Sequence, residues 1–331
     1  MTPWQHVSDV LDVFLSPSAT KYDALRVQVQ KSEFQKFFSQ AIAPQIFRHG
    51  LVGIYHEVFK EMDFKQDALT DMVSRQVKVQ VNLLQLQEGA LRLIQNENIP
   101  CVVLKGLSLA ERLYGNIALR PSSDVDILVS EKNRTPCLAA FLGNGFVETR
   151  AIPGHFHTTL KHPDFLGVIE LHHGLGDRVF PFDVDGMLAR TRNNILDATD
   201  ELLYLAYHAG RNYFVFRLVL LVDLFLAVRK WQEQIAWDTL LDRAKEARVY
   251  GLVTGALGCC RELLGIRENK LDFGREGLVP AVSGKIVKWC LHPDPIASRV
   301  QHDAWVRRAL FWSCLDSWED QIRFFLQRAL P

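Results

Sequence analysis

The sequence has no excess of charge of either sign and no long apolar run. Its 331 residues include 38 basic and 38 acidic side chains. This balance argues against a nucleic-acid-binding protein that relies on bulk charge, although local basic patches remain open. The most apolar segment, residues 215–228, is interrupted by Arg217 and Asp223 and is too short to span a bilayer. We therefore expect no transmembrane helix and no membrane partner.

The six cysteines include no Cys-x-x-Cys pair. Scattered cysteines of this kind are typical of buried thiols in a reducing compartment, not of a disulfide framework or a zinc site. The first ten residues lack a basic stretch followed by an apolar core, so we expect no secretory signal. With 48% hydrophobic residues there is enough material for a packed core. These features predict a soluble, globular, cytoplasmic protein.

Residues 101–130 hold the clearest chemical signal in the sequence. An apolar run at 101–104 leads to Lys105 and Gly106, an amphipathic turn ends near Tyr114, and a second apolar run follows at 125–129. The pattern predicts strand, loop, short helix and strand.

Asp124 and Asp126 belong to the second of these strands. Alternate side chains of a strand share a face, so the two carboxylates point the same way. Like charges this close call for a cation between them, and Mg²⁺ is the usual hard cation that prefers oxygen ligands and accompanies phosphates. An isolated Asp-x-Asp is also found as a solvated feature at a strand edge, and that alternative stays open here.

Gly106 stands where the first strand opens into a helix. A residue without a side chain lets a phosphate approach the backbone N–H groups at the positive end of a helix. Ser108 would add a hydroxyl donor in the first turn, and Lys105 would add a point charge if its side chain faces the same way. A phosphate cradle followed by paired carboxylates is a layout for metal-assisted phosphoryl or nucleotidyl transfer.

Two further residues extend this candidate site. Glu170, in the later apolar run at 168–171, would be a third acid that completes the metal site. Arg120, four residues before Asp124, carries a permanent charge that would neutralise a triphosphate, or else it forms an ion pair with one of the metal-site acids.

These segments resemble the uncharacterised bacterial nucleotidyltransferases of the DNA polymerase β-like superfamily. The resemblance rests on Lys105-Gly106, Arg120, the pair Asp124 and Asp126, and the segment 170–172, and is clearest over residues 99–173. It implies Gly106 as the phosphate-loop glycine, Asp124 and Asp126 as metal ligands, and Glu170 as the third acid. Leu107 stands where the superfamily has a second Gly or a Ser.

Helical periodicity flanks this segment on both sides. We predict an α+β protein with a small mixed-sheet, polymerase-β-like core at residues 99–192, between helical regions at 1–98 and 193–331. The uninterrupted segment Asp67–Asn96 is the strongest helix prediction, and Pro44 is expected to break or kink an earlier helix. Asp223, inside a run of Leu and Val, needs a buried partner, for which we expect His208 or Arg211.

Four histidines occur near the later strands of the core: His155, His157, His172 and His173. We expect His172 and His157 to line the pocket and contact a phosphate or the acceptor hydroxyl. A metal-binding cluster of His155, His157 and His172 is the alternative. The tryptophans Trp305, Trp312 and Trp318 have helical spacing and are expected in the core.

The function predicted from these residues is Mg²⁺- or Mn²⁺-dependent transfer of a nucleoside monophosphate. A nucleoside triphosphate (ATP, CTP, GTP or UTP) would be the donor, and a hydroxyl of a small molecule or peptide the acceptor. Glu170 either completes a second metal site or helps to deprotonate that hydroxyl. Two alternatives stay open, namely nucleotidylation of tRNA or protein, as in toxin-like relatives of the superfamily, and a catalytically silent nucleotide-binding module.

Overall fold

The structure is a computed structural model that describes residues 3–31, 33–150, 155–176, 180–212, 217–264 and 314–316. The expected cluster Trp305, Trp312 and Trp318 lies outside these residues. Within the described residues, no helix combines the length and the apolar character that crossing a membrane requires.

The N-terminal part is built from helices that precede the sheet. They are α1 (Pro3–Leu15), α2 (Ala19–Val29), α3 (Phe34–Phe37), α4 (Ala43–His49), α5 (Val52–Glu61) and α6 (Asp67–Asn96), with a π-helical turn at Phe38–Ile42 before α4. Helix α6 has the predicted bounds and is about 45 Å long. Pro44 lies in the first turn of α4, where a missing N–H costs no helical hydrogen bond. The predicted interruption is thus the boundary between the π-helical turn and α4.

A five-stranded mixed sheet forms the centre of the molecule. Its strands are β1 (Val102–Val103), β2 (Val125–Leu128), β3 (Val147–Arg150), β4 (His157–Lys161) and β5 (Ile169–His172), in the spatial order β1-β2-β5-β4-β3. Strands β2 and β5 are parallel, and the other neighbours are antiparallel. Helix α7 (Leu107–Tyr114) connects β1 to β2, and α8 (Arg134–Gly143) connects β2 to β3. The predicted α+β class is confirmed.

The two faces of the sheet have different chemistry because side chains alternate along each strand. On one face, Val125, Ile127 and Leu171 join an apolar cluster with residues of α6 and α8. On the other face, Asp126 pairs in register with Glu170, and His157 pairs in register with His172. The polar side chains of the predicted site therefore share one face of the three central strands.

Helices follow the sheet again. They are α9 (Val184–Arg190), α10 (Ala198–Arg211), α11 (Val219–Trp231), α12 (Trp237–Glu246) and α13 (Tyr250–Leu264). Helix α10 packs against α11, α12 and α13. A large apolar cluster joins these helices to the N-terminal ones, and Val102, Leu104 and Leu128 of the sheet region belong to it as well. The sheet thus packs through one face against α6 and α8, and through Val102, Leu104 and Leu128 against the larger cluster.

Candidate active site

The three predicted acids converge on the polar face of the sheet. Asp124 directly precedes β2, Asp126 lies within it, and Glu170 lies on the parallel strand β5. One carboxylate oxygen from each lies within 4.8 Å of the others. The side chain of Asp126 is only 1% exposed, whereas those of Asp124 and Glu170 are 23% and 26% exposed. Asp126 is therefore the buried anchor of the group, and Asp124 and Glu170 form its solvent-accessible side.

Lys105 faces this carboxylate group. Its Nζ lies 3.0 Å from Oδ2 of Asp126 and 3.8 Å from Oδ1 of Asp124. Burial lowers the pKa of Lys105, but the two carboxylates outweigh burial and leave the pKa above its usual value. The structure thus shows the orientation that the sequence left open: the ammonium group lies inside the site and neutralises part of its charge.

The carboxyl groups differ in their protonation equilibria. Burial raises the pKa of Asp124, and the neighbouring carboxylates raise it further against the opposing effect of Lys105. Burial also acts to raise the pKa of Asp126, but Lys105 and His172 reverse the shift and hold that pKa below its usual range. The hydrogen bond with His172 lowers the pKa of Glu170. Asp126 and Glu170 are thus ionised and available as ligands.

His172 and His157 adjoin the acids on the polar face of the sheet. Nε2 of His172 lies 3.0 Å from Oδ1 of Asp126 and 3.5 Å from Oε2 of Glu170. Burial lowers the pKa of His172, yet these two carboxylates raise it above its usual value. Nε2 of His157 lies 3.9 Å from Oε1 of Glu170. Burial and the neighbouring His172 lower the pKa of His157 to about 4, so its ring is neutral at pH 7.

Gly106 has the backbone conformation that the phosphate-loop prediction requires. It precedes α7 with φ of 74° and ψ of −133°, a combination that favours glycine over every residue with a side chain. The nearest atom to a Cβ built there would be Oγ of Ser122, at 3.4 Å. Ser108 lies in the first turn of α7, where backbone N–H groups have no partner within the helix. The turn therefore presents donors beside the carboxylate group.

Arg120 has a different partner from those predicted. Its side chain is 4% exposed, and its guanidinium binds Asp223 of α11, with Nε and Nη2 each 2.9 Å from the carboxylate. Tyr114 donates a hydrogen bond of 2.7 Å to the same carboxylate. These contacts correct two expectations: Arg120 does not pair with the metal-site acids, and Asp223 is paired by Arg120 and Tyr114 instead of His208 or Arg211. The expectation that Asp223 needs a buried partner is confirmed.

Helix α10 contributes two residues near the site, Tyr204 and His208, that the sequence did not assign to the site. Burial raises the pKa of Tyr204, and the charges of Asp126 and Asp124 raise it further. Burial lowers the pKa of His208, and Lys105 lowers it further. The signal that would have identified them is their spacing of four, which places both on one face of a helix.

The mixed sheet and its helices make this an α+β protein. Three carboxylates converge on the sheet beside the helix that begins after Gly106, and this arrangement is a candidate site for cations and phosphates. The chain belongs to the family described as uncharacterised nucleotidyltransferase, which it matches over residues 35–265. It is therefore an enzyme of the nucleotidyltransferase class, and the family resemblance of its motifs is confirmed.

Other comparisons add little to the family assignment. No curated protein matches the sequence significantly. The solution structure of the antibiotic-resistance factor ANT(2'')-Ia is similar to part of this chain. The matched region covers 49% of this chain and 89% of ANT(2'')-Ia, with 14% sequence identity and a TM-score of 0.34. A TM-score this low supports no argument about fold or substrate.

Proposed function

We propose that this protein transfers a nucleoside monophosphate from a nucleoside triphosphate to a hydroxyl of a small-molecule or peptide acceptor. The observation that carries the proposal is the convergence of Asp124, Asp126 and Glu170 within 4.8 Å, beside the glycine turn that begins α7. Five buried cysteines in the described residues agree with a reaction in the reducing cytoplasm.

The donor set fits a hard divalent cation. All three acids offer oxygen, and the buried Oδ2 of Asp126 lies 3.0 Å from the ammonium group of Lys105, so the group already holds one positive charge. Asp124, Asp126 and Glu170 would hold Mg²⁺ or Mn²⁺. When bound, such a cation would neutralise phosphate oxygens and polarise the α-phosphate.

The other side chains would position the nucleotide. Backbone N–H groups after Gly106 and the hydroxyl of Ser108 would bind phosphate oxygens, and Lys105 would move from the carboxylates to the triphosphate. We leave Arg120 out of the proposed nucleotide site, because its guanidinium forms an ion pair with Asp223.

In the proposed reaction, the acceptor oxygen forms a bond to the α-phosphorus, the bond to the pyrophosphate oxygen breaks, and the hydroxyl proton passes to water. Glu170 has two roles open to it, as a ligand or as the group that helps to deprotonate the hydroxyl. Its lowered pKa weakens it as a base and favours the ligand role. His172 hydrogen-bonds Asp126 and keeps that carboxylate oriented.

Pyrophosphate release and self-labelling with each α-labelled nucleotide, in Mg²⁺ or Mn²⁺, test the proposal. The double variant Asp124→Asn, Asp126→Asn should lose transfer by at least about a hundredfold while still folding. The matched control is Asp164→Asn, which removes an acid that is 81% exposed, and it should keep full activity. Retained transfer in the double variant would contradict the proposal.

Adding cell extract to the same assay identifies the acceptor class. Label that appears on a small molecule or peptide would support the proposed acceptor. Label on tRNA or on a protein would replace it with the macromolecular alternative. Nucleotide binding without turnover under every condition would favour the silent binding module.

A further inference from the structure

A cavity of about 500 Å³ lies at the carboxyl end of the parallel strands β2 and β5. Glu131 and Arg134 follow β2 and line one part of it. His173 and Gly174 follow β5 and line the next part. Phe156, directly before the antiparallel strand β4, completes this side of the lining. The cavity is thus built from residues at one end of the strands that carry the acids.

The cavity adjoins the carboxylate group through Phe156. The ring centroid of Phe156 lies 5.6 Å from that of His172, and Nε2 of His172 lies 3.0 Å from Oδ1 of Asp126. Gly106 lies beside the backbone of Asp124, at the opposite, amino end of β2. The carboxylate group therefore lies between the glycine turn and the cavity. Transfer at phosphorus needs the attacking and leaving oxygens roughly in line, so a triphosphate bound at the glycine turn leaves the cavity for the acceptor.

Aromatic rings form one part of the lining. Phe156, Phe180 and Phe182 supply them. Tyr207 of α10 packs against Phe180 and Phe182, at centroid distances of 5.5 and 4.8 Å. The face of an aromatic ring attracts a positive charge, and Arg211 makes such a contact, with its Cζ 4.5 Å from the centroid of the Phe156 ring.

Acids outnumber permanent positive charges in the described lining. Glu131, Asp183 and Asp185 line the cavity together with one arginine, Arg134. The side chains of these acids are 68%, 70% and 71% exposed, so they lie where the cavity meets solvent. His173 contacts Glu131, but burial lowers the pKa of this histidine below its usual value, so its ring is neutral at pH 7. The lining therefore favours a positively charged ligand over an anion.

Two of these acids have only loose ion pairs with arginine or lysine in the described part of the chain. Nη1 of Arg134 lies 3.8 Å from Glu131, and Nζ of Lys132 lies 3.8 Å from Asp185. Ion pairs this exposed contribute little free energy, so a ligand cation competes for the two carboxylates at small cost. Asp183 differs, because it caps the first turn of α9.

We propose that this cavity binds the acceptor, and that the acceptor carries an amine or guanidinium cation beside the hydroxyl that reacts. The inference deepens the proposed function and rests on it. The cation would lie among the exposed acids and against the aromatic rings, and the hydroxyl would lie toward Asp126. An anionic acceptor would be repelled by the same acids.

Binding of three matched phenols to the full chain, with Mg²⁺ and without nucleotide, tests the charge preference. Tyramine carries an ammonium group, tyrosol has a neutral hydroxyl in its place, and 4-hydroxyphenylacetate carries a carboxylate. Ligand-observed NMR titrations measure the three dissociation constants. We expect tyramine to bind at least about fivefold more tightly than tyrosol, and 4-hydroxyphenylacetate to bind most weakly.

Variants of the exposed acids show whether the preference comes from this cavity. The double variant Glu131→Gln, Asp185→Asn should reduce the advantage of tyramine over tyrosol to less than about twofold. Its affinity for tyrosol should stay near that of wild type, which separates loss of charge from loss of the cavity. The matched control Asp164→Asn, Asp242→Asn removes two exposed acids outside the lining and should keep the wild-type preference. If the double variant shows no cooperative thermal unfolding, Asp185→Lys alone should reduce the same advantage.

Three results would overturn the inference. They are equal affinity for the three phenols, no binding of tyramine up to about 10 mM, and an unchanged preference in the folded variants. Competition between tyramine and a Mg²⁺–nucleoside triphosphate would also overturn it, because the cavity would then belong to the nucleotide.

The two proposals fail in different ways. Nucleotide transfer that depends on Asp124 and Asp126, in a protein without the charge preference, would refute this inference alone. A charge preference that depends on Glu131 and Asp185, in a protein that transfers no nucleotide, would leave a cation-binding cavity and refute the proposed function alone.

Discussion

Lys105 is the residue whose orientation matters most for the site. Its ammonium lies 3.0 Å from Asp126, where it competes with any cation for the carboxylates. We expect Lys105→Met to raise the affinity for free Mg²⁺ or Mn²⁺ by about tenfold or more, because the competing charge is gone. Isothermal titration without nucleotide measures this affinity.

The matched control for this variant is Lys132→Met, since Lys132 is 76% exposed and its ammonium group lies 3.8 Å from the exposed Asp185. It should leave cation affinity unchanged. An unchanged or weaker affinity in Lys105→Met would show that the ammonium group does not compete with the cation.

Protonation of the buried His49 is expected to destabilise the protein in acid. Burial, together with Arg48 and Arg217, lowers its pKa from 6.5 to about 4. As the pH falls, the unfolded chain therefore binds this proton before the folded protein does. The free energy of unfolding decreases as the pH drops from 6.5 toward 4, by about 3 kcal/mol in total. Urea unfolding of wild type and His49→Gln across this range should show a shallower decline in the variant. Parallel pH profiles would contradict this assignment.

At the residue scale, the sequence predicted the relative positions of Asp124 and Asp126, because the two-residue period of a strand puts both on one face. Parallel pairing then brought Glu170 beside Asp126, as the third-acid prediction required. The partner of Arg120 was not predictable, because Asp223 is 103 positions further along the chain. Local patterns do not specify such a long-range pair.

At the scale of elements, the buried Arg120–Asp223 pair joins the segment before β2 to helix α11. We expect Asp223→Ala to destabilise the protein by about 3–5 kcal/mol, because it leaves the guanidinium buried without a countercharge. The double variant Arg120→Met, Asp223→Leu should recover most of this loss. Urea denaturation measures both.

The same double variant tests the structural role given to Arg120. If it folds, it should bind nucleotide as wild type does. A stable double variant with strongly weakened nucleotide binding would instead support the original prediction that Arg120 contacts the triphosphate.

The bounds of an element were predicted correctly where its periodicity was uninterrupted. Helix α6 has an uninterrupted helical period and matched its prediction, whereas the apolar run at 101–104 became a strand only at Val102–Val103. A strand extends only as far as its neighbour pairs with it, and β1 pairs with two residues of β2. Pairing is a tertiary property that apolar runs do not report.

At the scale of the whole molecule, helices that precede the sheet in the chain and helices that follow it share one apolar cluster. Val102, Leu104 and Leu128 of the sheet region belong to it. Helical periodicity predicted the helices but not this shared core, because an apolar face does not identify the surface that covers it. The division into regions 1–98, 99–192 and 193–331 stays a prediction.

This shared core predicts that residues 99–192 do not fold alone. Without the flanking helices, one apolar part of the sheet region would be exposed to water. Circular dichroism and dye binding should show a loosely structured fragment with exposed apolar surface, compared with the cooperative unfolding of the full chain. A cooperative thermal transition in the fragment would show that the core is autonomous.

The position of Lys105 also determines how ligands would assemble in the proposed site. A free cation has to displace the ammonium group, and a free nucleotide that draws Lys105 to its triphosphate leaves the carboxylates without that countercharge. Together they resolve both conflicts, since the cation takes the carboxylates and the triphosphate takes Lys105. Binding of each would then raise the affinity for the other by the same factor. The site would then bind the cation–nucleotide pair more tightly than it binds either ligand alone.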